Sequence, residues 1–395
     1  MSPRLNGFCQ LYSARARFRE APRVLRPVKG IALVDYLTGR LYGGHQEDYL
    51  LALEHALAPL APIVVAPYRT AGGYLGRWRR LWHESTMLWR SLRDGRLLVF
   101  HTPEARELLL LAVLAPLASW RTRPAAVAVL RRDATVMTGR SVWRTRLVTA
   151  AAAWLIRRGW LMPVSDSRLA AQYWYGIGSR PVSLIPIPVR SGSTVSQRTG
   201  VFRIGLVGSF RLDKGADRYD AVIEAARRVA PEAEVICQVG APVTSPEAEL
   251  AAALLGRWLP SPGVKLLRNH LPAEEYDALL ASCDLVVLPY DPDLFSSGTS
   301  GVMSDALTAG AVVVATPIMW AREEFASHSN IVWLAGRDGS DFERGIRLGL
   351  DRARALRATP PVDTADRAAF ASAWRQVVED ALVSRGASPD WRPAR

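Results

Sequence analysis

Runs of aliphatic and β-branched residues recur along the chain, separated by stretches with helical spacing. GIALVDYL (30–37) reads as a first strand, and GGHQEDYLLALEHALAPLA (43–61) follows with Leu50, Leu53, Ala56 and Leu57 on one helical face. APIVVAPY (61–68), RLLVFHTP (96–103), AAVAVL (125–130), LMPVSDS (161–167) and VSLIPIPV (182–189) read as further strands, with a helix over 104–118. PVRSGSTVSQRTG (188–200) has no apolar period and is rich in Ser, Gly and Thr, which marks a linker. The alternation then restarts. FRIGLVGSF (202–210), EVICQVG (234–240), VKLLRNH (264–270), CDLVVLPY (283–290) and AVVVATP (311–317) read as strands, with helices over 215–230, 272–282 and roughly 300–309. ADRAAFASAWRQVVEDAL (365–382) closes the chain as an amphipathic helix.

Strands alternating with helices predict parallel sheets. The fold class is therefore α/β, with two Rossmann-like parallel-sheet domains facing each other across a cleft. The expected division is a basic segment 1–28, a first domain 29–189, a linker 190–200, a second domain 201–363, a helix 364–385 and a tail 386–395. Self-similarity at solenoid periods is absent.

Composition narrows the function classes. A hydrophobic fraction of 49% supports real cores, and 395 residues are enough for two. The net charge of +13 favours an acidic partner, and arginine carries nearly all of it: the three lysines are Lys29, Lys214 and Lys265. No zinc-finger spacing or RNA-binding signature accompanies the charge, so no nucleic-acid partner is expected. Cys9, Cys237 and Cys283 form no CxxC pair, which fits neither a disulfide framework nor a zinc site and points to a reducing cytosol. The first 28 residues lack the apolar stretch of a signal peptide, and LLLLAVLAPLASW (108–120) is too short to span a bilayer. The expected location is cytoplasmic, extending to the inner face of the cell membrane.

Two stretches carry the candidate chemistry. SSGTSGVMSDALTAG (296–310) follows one strand and opens a short helix, so Ser297, Gly298, Thr299, Ser300 and Gly301 sit where free N–H groups and the helix dipole favour an anion. The same residues would also serve as plain N-caps. GSFRLDKGADR (208–218) occupies the corresponding place in the second domain's first β–α unit, where Gly208, Arg211 and Lys214 point two cations at the same cleft. Together they fit a diphosphate.

At these residues the chain resembles the GT-B glycosyltransferases, in particular the retaining family 4 type. GSFRLDKGAD is similar to that family's GR-L-x-x-x-KG-x-D turn, and SGTSGVMSDALTAGAVVVATP to its Glu-x7-Glu region with the following A-x-x-x-G-x-PVV-A-T; GGHQEDYLLALEHAL and SLIPIPV are similar to its glycine loop and first-domain closing strand. The resemblance spans about residues 30–385. It implies a nucleotide-diphosphate sugar donor, UDP- or GDP-linked, no tightly bound cofactor and no metal; the Asp291-Pro292-Asp293 motif lies in a loop ahead of the phosphate region. Asp305 stands at the second acid, where it would hold the ribose, and Ser297 at the first, which relatives place near the donor sugar. Retaining and inverting outcomes both stay open. The implied activity is transfer of a sugar to a glycan or polyprenyl-linked saccharide in surface or exopolysaccharide assembly; an epimerase or phosphorylase on the same fold, or a non-catalytic sugar-nucleotide-binding relative, is the alternative.

For the acceptor side, Gly43, Gly44 and His45, then His101, then Arg132 and Asp133 stand at strand ends facing the expected cleft. His101 or Asp133 is the expected base for the acceptor hydroxyl. Arg132 replaces the first member of a His-Asp pair common in relatives, and would bind the donor or an acceptor phosphate. GGYLGRWRRLWHESTMLWRSLRDGR (72–96) places Leu75, Trp78, Trp82, Trp89 and Leu92 on one helical face, with Arg77, Arg79, Arg80, Arg90 and Arg93 around it. A basic helix with tryptophans suits an anionic membrane interface, and WRTRLVTAAAAWLIRRGW (143–160) adds a second.

Overall fold

The computed structural model describes residues 29–35, 45–67, 77–119, 123–139, 141–188, 198–240, 245, 247–268, 271–295, 298–357 and 367–385. The segments 1–28, 190–197 and 386–395, with Gly43, Gly44, Leu75 and Ser297, lie outside the described residues.

The first domain runs β1 (Ile31–Asp35), α1 (His45–Leu57), β2 (Ile63–Pro67), α2 (Arg77–Arg93), β3 (Leu97–Phe100), α3 (Ala105–Ser119), β4 (Ala126–Val129), α4 (Ala134–Met137), α5 (Val142–Arg157), β5 (Leu161–Ser165), α6 (Arg168–Gly178) and β6 (Ser183–Leu184). The second runs β7 (Arg203–Leu206), two 3-10 turns (Leu212–Lys214 and Ala216–Arg218), α7 (Tyr219–Val229), β8 (Glu234–Gln238), α8 (Glu247–Trp258), β9 (Val264–Leu267), α9 (Ala273–Ser282), β10 (Leu285–Leu288), α10 (Gly301–Thr308), β11 (Val312–Ala315), α11 (Met319–Glu324), β12 (Ile331–Trp333) and α12 (Gly339–Arg357). A last helix, α13 (Arg367–Ser384), follows.

Both sheets have six parallel strands, in the orders β2-β1-β3-β4-β5-β6 and β12-β11-β10-β7-β8-β9. Central strands such as LVVL (285–288) and VVVA (312–315) are buried at every position because helices cover both faces. The strand order reverses between β1 and β3 in one sheet and between β7 and β10 in the other. Loops leaving the carboxyl ends of the strands beside such a reversal form a crevice that takes ligands.

Two local outcomes differ from the sequence expectation. VSLIPIPV forms a strand only at Ser183–Leu184. The stripe expected on α2 divides: Trp82 is 74% exposed, as a surface-facing residue would be, whereas Leu92 turns inward with Glu84, Leu88 and Ser91. Glu84 goes inward because Arg106 Nε of α3 meets its Oε2 at 2.5 Å, so a charge replaces an apolar contact in the helix pair. α13 does not pack on the domain it follows. Phe370, Trp374 and Val378 join Tyr49, Leu53 and Leu57 of α1 in the first domain's core, and Arg375 Nε donates to Ala56 O at 2.9 Å.

Candidate functional site

β7 and β10 flank the reversal in the second sheet, and both candidate loops leave from them. After β7, Gly208 adopts φ 108°, and a Cβ there would stand 2.9 Å from Val302 Cγ2 and 4.0 Å from Lys214 Nζ. Its N–H donates to Gln238 Oε1 at 2.5 Å, which fixes the turn. Gly215, at φ 78°, lies so close to the strand β10 exit that a Cβ would overlap the Pro289 carbonyl oxygen. The two loops are thus locked together with α10 behind them.

Arg211 lies against Asp213, with Nε to Oδ1 at 2.9 Å. Lys214 is different: its N–H donates to Arg211 O at 3.0 Å, but among the described residues its ammonium makes no ion pair or hydrogen bond. Burial, then repulsion by Arg211, pushes its ammonium down to about 8, with Asp213 opposing. A desolvated cation in no ion pair is a cost that a bound anion removes.

The second loop is built on a buried tyrosine. Tyr290 Oη and Ser300 Oγ are 2.8 Å apart, and Ser300 Oγ accepts from Met303 N at 3.2 Å, capping α10. The Ser300 hydroxyl is therefore a structural cap, which leaves the main-chain N–H groups of Gly301 and Val302 at the helix start for a ligand. Gly298 N donates to Phe295 O at 3.3 Å. Asp305, on the second turn of α10, is buried and near enough to raise the Tyr290 phenol further, after burial has done most of it. Asp291 is spoken for: Oδ1 accepts from Asp293 N and Leu294 N, and Oδ2 meets Arg337 Nη1 at 2.6 Å. Among the described residues no group of three or more His, Cys, Asp or Glu could hold a metal ion.

Across the crevice stand the ends of β3, β4 and β5. The Arg132 guanidinium is held below its usual value by burial and then by repulsion from Arg211, with Asp213 opposing, so it faces the first loop of the other domain. Trp174 Nε1 donates to Arg132 O at 3.1 Å and anchors that backbone. Asp133 caps α4, its Oδ1 accepting from Val136 N at 2.8 Å, and stays half-buried. His101 is buried, its ring centroid 5.8 Å from that of Tyr49. His45 opens α1; only its backbone is described.

Sequence reasoning missed the pair beneath this surface. Arg131 Nε lies 2.8 Å from Asp166 Oδ2, and the Arg131 guanidinium sits 4.4 Å from the centre of the Tyr49 ring. Burial raises the Asp166 carboxyl above its usual range, while the charge of Arg131 favours its ionised form. The only trace in the sequence was position: Asp166 directly follows a buried strand end, at the cleft side of the sheet.

Arg132, Arg211, Lys214 and the α10 start therefore converge, whereas His101 and Asp305 lie back in the protein. The arrangement can bind a compact polyanion between two sheets.

Residues 201–351 match the family model described as "Glycosyl transferases group 1". No curated protein sequence gives a significant match to the chain. Among solved structures, HepE from Anabaena in complex with UDP-glucose is 16% identical over 89% of this chain and 98% of that one, with a TM-score of 0.61. Sucrose-phosphate synthase from Thermosynechococcus elongatus is 12% identical over 90% and 97%, also at 0.61. UDP-GlcNAc 2-epimerase from Methanocaldococcus jannaschii is 10% identical over 88% and 99%, at 0.51. The architecture is the two-domain, Rossmann-like GT-B fold.

Proposed function

We propose that the chain is a glycosyltransferase that takes a sugar from a nucleoside-diphosphate sugar and passes it to a hydroxyl of a glycan or lipid-linked saccharide. One observation carries the reading: Lys214, desolvated and in no ion pair, beside Gly208 and the start of α10 and opposite Arg132. The group 1 match over the second domain and the UDP-glucose held by HepE support a UDP-sugar donor.

In this reading the sugar's anomeric carbon–oxygen bond to the β-phosphate breaks, and the electron pair leaves with the diphosphate. The acceptor oxygen bonds the anomeric carbon and gives up its proton. Lys214, Arg211 and the N–H groups of Gly301 and Val302 stabilise the charge growing on the diphosphate. Arg132 closes the site from the other domain. Asp133 is the better placed proton acceptor, because it stays half-buried at the cleft; His101 serves only if its surroundings open. Asp305, buried on α10, stands behind the ribose side rather than on it.

The acceptor's location follows from the outer helix layer of the first domain. α2 packs on α3, and α3 on α5. Their outward surfaces carry exposed Trp82, Leu117, Trp143 and Leu147, with exposed Arg90, Arg93, Arg144 and Arg146 among them. That combination suits an anionic bilayer surface carrying a polyprenyl-linked acceptor. Among the described residues no helix is long and apolar enough to cross a membrane, so the contact is peripheral.

Thermal denaturation with UDP, GDP, ADP and dTDP tests the donor site, since a ligand that binds only the native state raises Tm. UDP should shift wild type and not Lys214→Ala; no shift with any member overturns the reading. A second reading, sugar-nucleotide epimerisation, is favoured by the UDP-GlcNAc 2-epimerase likeness. Conversion of the donor sugar with no acceptor present would establish it.

A further inference from the structure

Arg198 lies in the stretch whose composition marks a linker, yet its half-buried side chain turns back into the second domain. The guanidinium spreads over three main-chain carbonyls. Nε donates to Ala281 O at 3.0 Å, Nη1 to Gly310 O at 3.0 Å, and Nη2 to Ala309 O. Ala281 is in the last turn of α9, while Ala309 and Gly310 directly follow α10. One side chain thus grips the rear ends of two helices, and one of those helices starts at the anion-binding loop.

α10 has eight residues, too few to hold its shape without tertiary support. At its rear, Gly310 takes φ 76°, Gly310 N donates to Leu307 O at 2.9 Å, and Ala311 N donates to Ala306 O at 2.9 Å. That turn uses the carbonyls of Ala306 and Leu307; Arg198 takes those of Ala309 and Gly310. A cation at this end also complements the helix dipole. At the front, Ser300 caps the helix and is held by Tyr290. α10 is therefore clamped at both ends, and its leading N–H groups cannot tilt without breaking a clamp.

The rear clamp is itself firmly mounted. Arg357 Nη1 donates to Gly200 O at 2.8 Å and Nη2 to Val201 O at 3.3 Å, and its guanidinium sits 3.8 Å from the centre of the Phe202 ring. Asp284, at the foot of β10, accepts from Arg357 Nε at 2.6 Å and from Arg203 N at 2.9 Å. The chain from Arg198 to Arg203 is thus pinned to the base of the sheet. A guanidinium suits the task because its donors are spread in a fixed plane; a lysine ammonium is a single point and cannot span three carbonyls.

We propose that Arg198 is a positioning residue for the donor site: it holds α10 from behind and keeps the Gly301 and Val302 N–H groups aimed at the diphosphate. The inference rests on the reading of the cleft as a nucleotide site. Arg198 acts through the helix, whose length of about 12 Å separates it from the ligand.

The test uses the full chain. Arg198→Ala removes the clamp, and Arg198→Lys keeps the charge without the fork. UDP affinity is read by calorimetry, and hydrogen exchange of the 301–308 amides is read on the free protein. Arg198→Ala should weaken UDP binding by about tenfold, since small displacements of binding groups are costly. Its 301–308 amides should exchange faster, with those of β10 and β11 still protected. Arg198→Lys should resemble Arg198→Ala on both measures, and it carries the test alone if the alanine variant does not fold. Added methylguanidinium should recover UDP affinity in Arg198→Ala and leave wild type unchanged. A lowered Tm with UDP affinity and α10 exchange unaltered would overturn the proposal, as would Arg198→Lys binding UDP like wild type. If wild type binds no nucleoside diphosphate, the donor reading falls; the exchange measurement still decides whether Arg198 holds α10.

Discussion

Replacing Lys214 with methionine should make the protein more stable and a poorer nucleotide binder. The folded-state value of about 8 lies below the ordinary 10.5 of a lysine, and burial is the main cause. Below pH 8 both the folded and unfolded chains carry the proton, and the fold bears the whole cost of the buried charge. That difference corresponds to about 3 kcal/mol at 1.36 kcal/mol per unit, as an upper bound. Between pH 8 and 10.5 the unfolded chain binds more protons than the folded one, so wild-type stability rises with pH across that window. Lys214→Met should therefore be more stable at pH 7 by about 1–3 kcal/mol in urea, with the gap closing towards pH 10. Binding should move the other way. A diphosphate restores the ammonium's counter-charge and needs it protonated, so UDP affinity in wild type should fall about 20-fold between pH 7.5 and 9.5 and stay flat in the variant. The phenols of Tyr219 and Tyr290 and the thiols of Cys237 and Cys283 are all raised by burial, which keeps them clear of this window. A variant less stable than wild type at pH 7, or a flat wild-type profile, would refute the reasoning.

Three further outcomes are expected. Arg132→Ala should weaken UDP binding by about tenfold with an unchanged Tm, because a guanidinium across the cleft from Arg211 acts on ligand charge rather than packing; isothermal titration checks it. Gly215→Ala should destabilise by several kcal/mol in chemical unfolding, since it combines positive φ with an overlap at the Pro289 carbonyl. Trp82→Ala with Trp143→Ala should cut sedimentation with phosphatidylglycerol vesicles while leaving UDP affinity untouched.

The sequence was most legible where period and turn chemistry agreed. The strands with buried aliphatic runs, the loop ending in Ser300 and the Gly208–Lys214 turn all lie where the pattern put them, because a parallel strand buried on both faces has no other composition available. α12 was not read. GSDFERGIRLGLDRARALR carries Gly345 and Gly349, which look like helix breakers. In the structure a Cβ at Gly345 would stand 2.6 Å from Leu334 Cδ2, and one at Gly349 would stand 2.5 Å from Leu285 Cδ1. The glycines let the helix lie close on the sheet, a tertiary demand that local propensity does not register. The same holds for Glu84 on α2 and for Asp166. Each is a charge placed inside by a partner far along the chain, and no periodicity reports on a partner. Within the candidate site, Arg211 and Lys214 were visible as cations beside glycine. The recessed positions of His101 and Asp305 were not, because burial depends on the other domain and on the helix behind.

The last helix gives the molecule a particular order of assembly. Phe370 and Trp374 belong to the core built on β1 and α1, more than 300 residues earlier, and the bond from Arg375 to Ala56 spans 319 positions. During synthesis the first domain emerges with that sheet face uncovered, and it stays uncovered until nearly the whole chain has left the ribosome. Contacts of such sequence separation form slowly and leave apolar surface open to aggregation meanwhile. The second domain must fold inside a loop whose two ends are joined in the first. A stalled or clipped chain lacking only its final turns would lose the interior of the domain made first.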